Sequence, residues 1–489
     1  MTARRGALAT PHVLATEAGA DAFRQGGSAV DAALAAAAVL SVVYPHNVTI
    51  GGDLVALVRS PDGAIRCVNA TGPAPARVDP DALRERYGTR LPVRGPHVIT
   101  VPGAVAGWAE LARLGARRPW AELLRPAIGC AREGVPVARS LDRAVVEYTA
   151  DLAADPGCAA VFLPPGPTLR QPRLAESLAA IAERGPAELY GGSVGATLAD
   201  GLAALGCPLG LDDLAAYEPE VTDPISGEFA GLTVHTSPPN TQGFLLLSFL
   251  DTLSRLGSEP TPGFIARMFA DGIALRDQTL ADPRTGPAQA SGRPYPTGDT
   301  IGIAAADTDG TAVSLIQSVY HGFGAAVLEP ETGILLQDRG TAFSLDPHAA
   351  AAIAPGRRPP HTLMPVLVTR DGGLHWVNAT MGGQAQPQIH LQLLRNLLAG
   401  ATPQEAVAAP RWTLGAREPD DAPDQVYADD DLEPGIVAGL RSDGFAVTRV
   451  PRLEFELGHA NIVAIADDGT LSVGSDPRAD GSGQSTTAA

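Results

Sequence analysis

Thr300 has the setting with the most chemical potential in this sequence. It follows a Pro- and Gly-rich stretch without periodicity, PRTGPAQASGRPYPTGD (283–299), and opens an apolar run, TIGIAAAD, that reads as a strand. By composition alone a Thr at a strand start is a β-former and nothing more. If the Asp299–Thr300 bond is cut, however, one residue carries both a hydroxyl and an α-amine. The amine has a reference pKa of about 8. It can therefore accept the proton of its own hydroxyl, and no separate His or Asp is needed as base.

Other groupings are weaker. Gly191-Gly192-Ser193-Val194-Gly195 fits the G-x-S-x-G pattern of serine hydrolases, which demands a strand before the Ser. The preceding AAIAERGPAELYGG is helical in pattern, so Ser193 reads as a helix N-cap. Asp307-Thr308-Asp309-Gly310 lacks the further ligands of a calcium loop and reads as a hairpin turn. Gly382-Gly383, in NATMGGQ after the strand-like LHWVNA, reads as a turn whose backbone N–H groups can approach a ligand closely.

Composition removes whole classes. All 36 basic residues are Arg, so there is no Schiff-base lysine, pyridoxal phosphate anchor or P-loop lysine. The net charge of −18 disfavours nucleic acid and anionic membrane surfaces. Cys67, Cys130, Cys158 and Cys207 are far apart, giving neither a zinc motif nor a disulfide framework. No metal or cofactor is expected. The apolar run 32–43 is too short to cross a bilayer, and MTARRGALATPHVLATEAG lacks the core of a signal peptide. The expected setting is the cytoplasm.

The positioning elements are legible. In GGSAVDAALAAAAVLSVVYP, Ser28 and Asp31 make a capping-box start, the Ala run favours helix, and Tyr44-Pro45 ends it. DLVALVRSPDGAIRCVNA reads as a hairpin turning at 61–63, and 103–205 turns helical. After the connector come TIGIAAAD, TAVSLIQSV, LMPVLVTRDGGLHWVNA and NIVAIADDGTLSV as strands, with the helix QIHLQLLRNLLAG between. A tail from about 477 to 489 is expected to be disordered. Hairpins in both halves with helices around them predict two packed sheets flanked by helices, an α+β fold.

Across nearly its whole length the sequence resembles the γ-glutamyltranspeptidase family. VLATEAGADAFRQGGSAVDAALAAAAVLSVVYP, IGGDL (50–54), VPGAVAGWAEL, PWAELLRPAI, LAAIAERGPAELYGG, LDDLAAY and PPNTQG occur in the family's order. GDTIGIAAADTDGTAVSLIQSVYHGFGAAVLEPETGILL resembles the start of its small subunit. The resemblance implies an αββα N-terminal-nucleophile (Ntn) sandwich, self-cleavage between Asp299 and Thr300, and a large (1–299) and a small (300–489) subunit. It further implies an acyl-enzyme at Thr300, an oxyanion held by Gly382 and Gly383, and Ser318 beside the nucleophile's amine.

The glutamate pocket departs from the family pattern. Thr71 stands where the family has an Arg for the α-carboxylate, and Ala342 falls in the segment that carries its Asp for the α-amine. Tyr320 replaces an Asn, His361-Thr362 a Ser pair, and Ile301-Gly302 the residues after the nucleophile. Losing charged hydrogen bonds worth roughly 1.5–3 kcal/mol each disfavours a γ-glutamyl zwitterion. The sequence looks more like the family's cephalosporin-acylase-like and oxamate-amidohydrolase-like offshoots. Arg339 and His361 are then the candidates to hold a substrate anion, with Thr71, Tyr320 and Thr362 beside them. The expected activity is hydrolysis, or acyl transfer, of a small-molecule amide. A biosynthetic hydrolase cutting an unusual C–N or activated C–C bond, and an inactive homologue kept for binding, are the alternatives.

Overall fold

A computed structural model describes residues 5–285, 299–415, 422 and 424–486. In chain order the principal elements are β1 (Gly6–Thr10), α1 (Val13–Arg24), α2 (Ala29–Val43), β2 (Asp53–Arg59), β3 (Ile65–Ala70) and α3 (Ala104–Gly115). Then come α4 (Trp120–Glu133), α5 (Pro172–Arg184), β4 (Glu220–Thr222), β5 (Ile225–Phe229), β6 (Leu232–Thr236), α6 (Gly243–Ser254) and α7 (Pro262–Thr279). The second half adds β7 (Asp299–Asp307), β8 (Ala312–Tyr320), β9 (Val366–Arg370), β10 (Gly373–Thr380) and α8 (Gln386–Leu398). It closes with β11 (Ala460–Ile465), β12 (Leu471–Ser475) and β13 (Ser482–Thr486).

These strands form two antiparallel sheets, ordered β13-β1-β7-β8-β2-β3-β4 and β12-β11-β10-β9-β6-β5. Both halves of the chain contribute strands to each sheet. One core lies between the sheets and includes Val55, Leu57, Ala304, Ile316, Leu367, Val377 and Val463. A second joins the outer face of the first sheet to α1 through α5, and a third joins the second sheet to α6, α7 and α8. The fold is thus a mixed one of antiparallel sheets and helices.

Local sequence explains the key helix. Ser28 and Asp31 form the expected capping box at the start of α2, and every residue of that helix is buried. Its small Ala side chains let it lie close against β7 and β8. Between the sheets, Gly302 meets a similar demand. A Cβ there would stand 2.7 Å from the Ala379 carbonyl carbon and 2.8 Å from the Thr380 nitrogen.

Two expectations are revised. The tail is ordered through 486, because Ser482–Thr486 pairs with β1 as an edge strand. A polar sequence suffices there, since the backbone ladder to β1 needs no apolar side chain and Thr486 Oγ1 bonds the Gly6 amide and carbonyl. Ser193 is the first helical residue and not the cap; the Glu188 carboxylate takes the capping role, accepting from Ser193 Oγ and the Val194 amide. The element directly before Ser193 is a short helix, Ala187–Tyr190, and not a strand, so the G-x-S-x-G resemblance has no structural support. Of the connector, Pro283–Thr285 forms a short 3₁₀ turn, and 286–298 lie outside the described residues. Asp307 accepts the Asp309 and Thr311 amides in the expected hairpin turn. Among the described residues no helix is long and apolar enough to cross a membrane.

Gly302→Ala places a methyl against backbone of the facing sheet, an overpacking that costs about 1–3 kcal/mol. A lowered urea midpoint is expected. An unchanged midpoint would show that the sheets separate freely.

Candidate active site

Thr300 sits one residue into β7, in the middle of the first sheet, and is 1% exposed. Its neighbour across the ladder is Ser318 on β8, whose own neighbour is Asp53 on β2. The Thr300 hydroxyl donates to Ser318 Oγ at 3.1 Å, while the Thr300 carbonyl accepts from Asn47 Nδ2 at 3.1 Å. The Thr300 side chain and carbonyl are both fixed. Ser318 Oγ also accepts from the Tyr320 amide at 2.8 Å. That contact is made possible by a register break after Ser318, which leaves Tyr320 at φ 81°. A bulky residue in the left-handed region marks a strained turn of the kind that collects at functional sites.

Arg339 is fully buried. Its guanidinium carbon lies 3.8 Å from the centre of the Tyr320 ring, a cation–π contact. Nη1 donates to Thr362 Oγ1 at 3.2 Å and Nη2 to Ser318 Oγ at 3.4 Å. A fixed positive charge therefore stands one hydroxyl away from Thr300. Burial lowers the Arg339 pKa, against the attraction of Tyr320, Asp53 and Asp338, yet a guanidinium keeps its charge.

His361 Nε2 and Asp53 Oδ2 are 3.0 Å apart, both side chains wholly buried. Burial raises the Asp53 pKa to about 7, opposed chiefly by Arg339 and the Gly72 amide, and pushes His361 well below its usual value. The spacing would admit an ion pair. The two directions instead describe a neutral pair sharing one proton, and desolvation justifies that reading.

The Gly pair lies at the same end of the molecule. β10 runs past Gly302 into Met381, Gly382 at φ 150° and Gly383 at φ 50°. Only glycine tolerates the first of these; a Cβ would also stand 2.4 Å from Ile389 Cδ1. Gln242 Nε2 ties the loop down, donating to the Gly383 and Thr362 carbonyls at 2.9 Å each.

Comparison with known proteins fits this arrangement. The family profile described as Gamma-glutamyltranspeptidase matches residues 15–264 and 264–486. The oxamate amidohydrolase proenzyme of Klebsiella pneumoniae is 36% identical over 97% of each chain. The glutathione hydrolase-like YwrD proenzyme of Bacillus subtilis is 32% identical, again over 97% of each. The crystal structure of cephalosporin acylase from Bacillus halodurans superposes with a TM-score of 0.87 at 31% identity, covering 99% of this chain and 96% of that one. The chain belongs to the gamma-glutamyltranspeptidase family. It is an enzyme of the gamma-glutamyltransferase-like hydrolase class, similar to the acylase and amidohydrolase members.

Among the residues singled out from the sequence, Thr300, Ser318, Tyr320, Arg339 and Thr362 form one connected group. His361 is near them, but its Nε2 faces Asp53 and its ring is neutral. It has no charge to offer an anion. Thr71 is hydrogen-bonded to Asn69 and Asn240, whereas Arg339 is bonded to Thr362 and Ser318. Sequence reasoning missed Asn47, Asp53 and Gln242. All three lie in or beside matched segments (YPHN, IGGDL and PPNTQG), but nothing local gives them a partner.

Asp53 binds its proton more tightly folded than unfolded, so the folded chain holds more protons between about pH 4 and pH 7. That contribution is full below pH 4 and is lost as pH rises to 7. Thermal melts across this range should show a decline in the wild type that is smaller in Asp53→Asn. Parallel declines would mean Asp53 titrates normally.

Proposed function

We propose that the chain is a self-processing threonine amidohydrolase of the acylase type, working through an αββα Ntn sandwich. The observation that carries this is Thr300 Oγ1 at 3.1 Å from Ser318 Oγ, at the start of a central strand, inside a family member. The layering of three cores around two sheets supports the sandwich. The proenzyme names of both relatives support processing.

In maturation the Thr300 oxygen adds to the Asp299 carbonyl carbon, and the Asp299–Thr300 C–N bond breaks as the nitrogen gains the hydroxyl proton. Water then hydrolyses the resulting ester, giving an Asp299 carboxylate and a free Thr300 amine and hydroxyl. In turnover the amine takes the hydroxyl proton and the oxygen adds to an amide carbonyl. The Gly382 and Gly383 amides receive the oxyanion, a stabilisation for which preorganised donors are suited. The amine product leaves with the proton, and water (or an amine acceptor) releases the acyl group.

Arg339 spends both amino groups on Ser318 and Thr362. Its role is to hold Ser318 and, by its charge, to lower the pKa of the nearby α-amine so that more of the base is neutral. Thr71 and Ala342, in place of the family's charged anchors, favour an acyl amide over a γ-glutamyl group, as do the names of the amidohydrolase and acylase relatives.

Intact-mass analysis of the purified protein tests the mechanism. Fragments of 299 and 190 residues are expected, the second beginning at Thr300, whereas Thr300→Ala stays whole at 50.2 kDa. A wild type that never cleaves would sink the reading. Arg339→Met should move the acidic limb of the kcat profile to higher pH, because removing a cation raises the amine pKa; a fixed limb would remove Arg339 from the mechanism. Rapid turnover of γ-glutamyl-p-nitroanilide would contradict the acyl-amide preference.

A further inference from the structure

The two neighbours of β7 do not support it equally. Its ladder with β8 runs through residues 300–303, but its last pair with β1 is Ala304 with Ala9. β1 ends at Thr10 and the chain turns away into α1 at Val13. Beyond that point two carbonyls of β7 are taken by side-chain amides. The Thr300 carbonyl accepts from Asn47 Nδ2 at 3.1 Å, and the Gly302 carbonyl accepts from Asn461 Nδ2 at 2.8 Å. Residues two apart turn their carbonyls to the same edge of a strand. Both asparagines are buried, and because a carbonyl can only accept, the amide nitrogen of each must face it.

The two braces differ in what they reach. Asn461 lies on β11, in the facing sheet, and holds the strand two residues in from Thr300. Asn47 lies in the buried turn that follows α2. Its backbone is fixed twice: the amide donates to the Tyr44 carbonyl at 3.0 Å, and the carbonyl accepts from the Val319 amide at 3.1 Å. Val319 is the residue skipped where the β7–β8 register breaks. One residue thus takes the amide of the break with its backbone and the carbonyl of Thr300 with its side chain.

Before a cut, Asp299 pairs with Tyr320, so Thr300 is held by the chain on both sides. After a cut, Thr300 is a strand terminus, and termini are poorly ordered unless tied down. Fixing the Thr300 carbonyl fixes the planar Thr300–Ile301 peptide. What remains is rotation about Cα–C and Cα–Cβ, and the Ser318 bond restrains the hydroxyl. We propose that Asn47 is the positioning residue of the cleaved enzyme, holding the new N-terminus so that amine and hydroxyl stay together at one place. It acts through Thr300 and touches no substrate. This rests on the amidohydrolase reading and adds that the brace matters more after the cut than before it.

The test exposes the cleaved protein briefly to sodium periodate and follows the 300–489 fragment by intact mass. Periodate oxidises the free amino alcohol of an N-terminal threonine. The Cα–Cβ bond breaks to give a glyoxylyl terminus, acetaldehyde and ammonia, as periodate is reduced to iodate. All four cysteines lie in the other fragment. Asn47→Leu keeps the branched shape and loses only the Nδ2 bond, since Asn47 Oδ1 has no partner among the described residues. Asn47→Leu and Asn47→Ala are expected to cleave as the wild type does and then to be oxidised about tenfold faster, the weight of one buried hydrogen bond. Asn461→Ala, which removes the comparable bond at Gly302, should be oxidised at close to the wild-type rate. Equal rates in the wild type and the Asn47 variants overturn the proposal. So does equally fast oxidation of Asn461→Ala, which would mean general loosening of β7. Asn47 variants that fold but stay whole would assign Asn47 to the cleavage step instead, and failure of both to fold would make it purely structural; either overturns the proposal. A wild type that stays whole before periodate is added sinks the hydrolase reading itself, and this role with it.

Discussion

The placement of β7 in the middle of the first sheet is the constraint on which the rest depends. β7 is laddered on one side to β1, from the beginning of the chain, and on the other to β8. Asn47 holds the Thr300 carbonyl from a third element. A cut before Thr300 would free one amine and leave the strand's other anchors intact. The neighbouring Gly302 and the Ala-rich α2 follow from the same placement, since a central strand with a sheet in front and a helix behind has no room to spare on either face.

Around that strand the electrostatics are arranged without lysine. Arg339 brings a permanent charge into a fully buried setting and is accommodated by the Tyr320 ring, two hydroxyls and nearby acids. An isolated buried charge would be costly. Asp53 does not simply neutralise it, because its carboxyl titrates only near 7 and shares a proton with His361. The site thus keeps a buried guanidinium beside the Ser318 hydroxyl that Thr300 contacts. Such a charge suits a base that must be an uncharged amine at working pH.

The would-be subunits are not separate bodies. Each sheet draws strands from both sides of residue 299. Gln242 reaches from before the connector to the Gly383 loop after it, and Arg276 on α7 likewise contacts Gln384. Interleaving of this kind would hold the two segments together if the backbone were cut before Thr300.

Much of this was legible in the sequence because it is local. The capping box at Ser28 and Asp31, the hairpin at Asp307 and the alternation of strands and helices depend on neighbours a few residues away. Ordered family motifs along the whole length carried the family assignment. What sequence left open was decided by contacts distant along the chain. Arg339 reads equally well as a surface residue, and only the convergence of Tyr320, Thr362 and Ser318 buries it. His361 reads as an anion candidate from its type and its place at the family's Ser pair, but Asp53, 308 positions away, takes its Nε2. The polar C-terminal strand looked disordered because what holds it, the backbone of β1 and the Thr486 hydroxyl bonded to Gly6, lies at the other end of the chain. Sequence determines which residues can form helices, strands and a nucleophile; tertiary structure alone decides which charges are buried together, because desolvation and pairing depend on neighbours that no local pattern specifies.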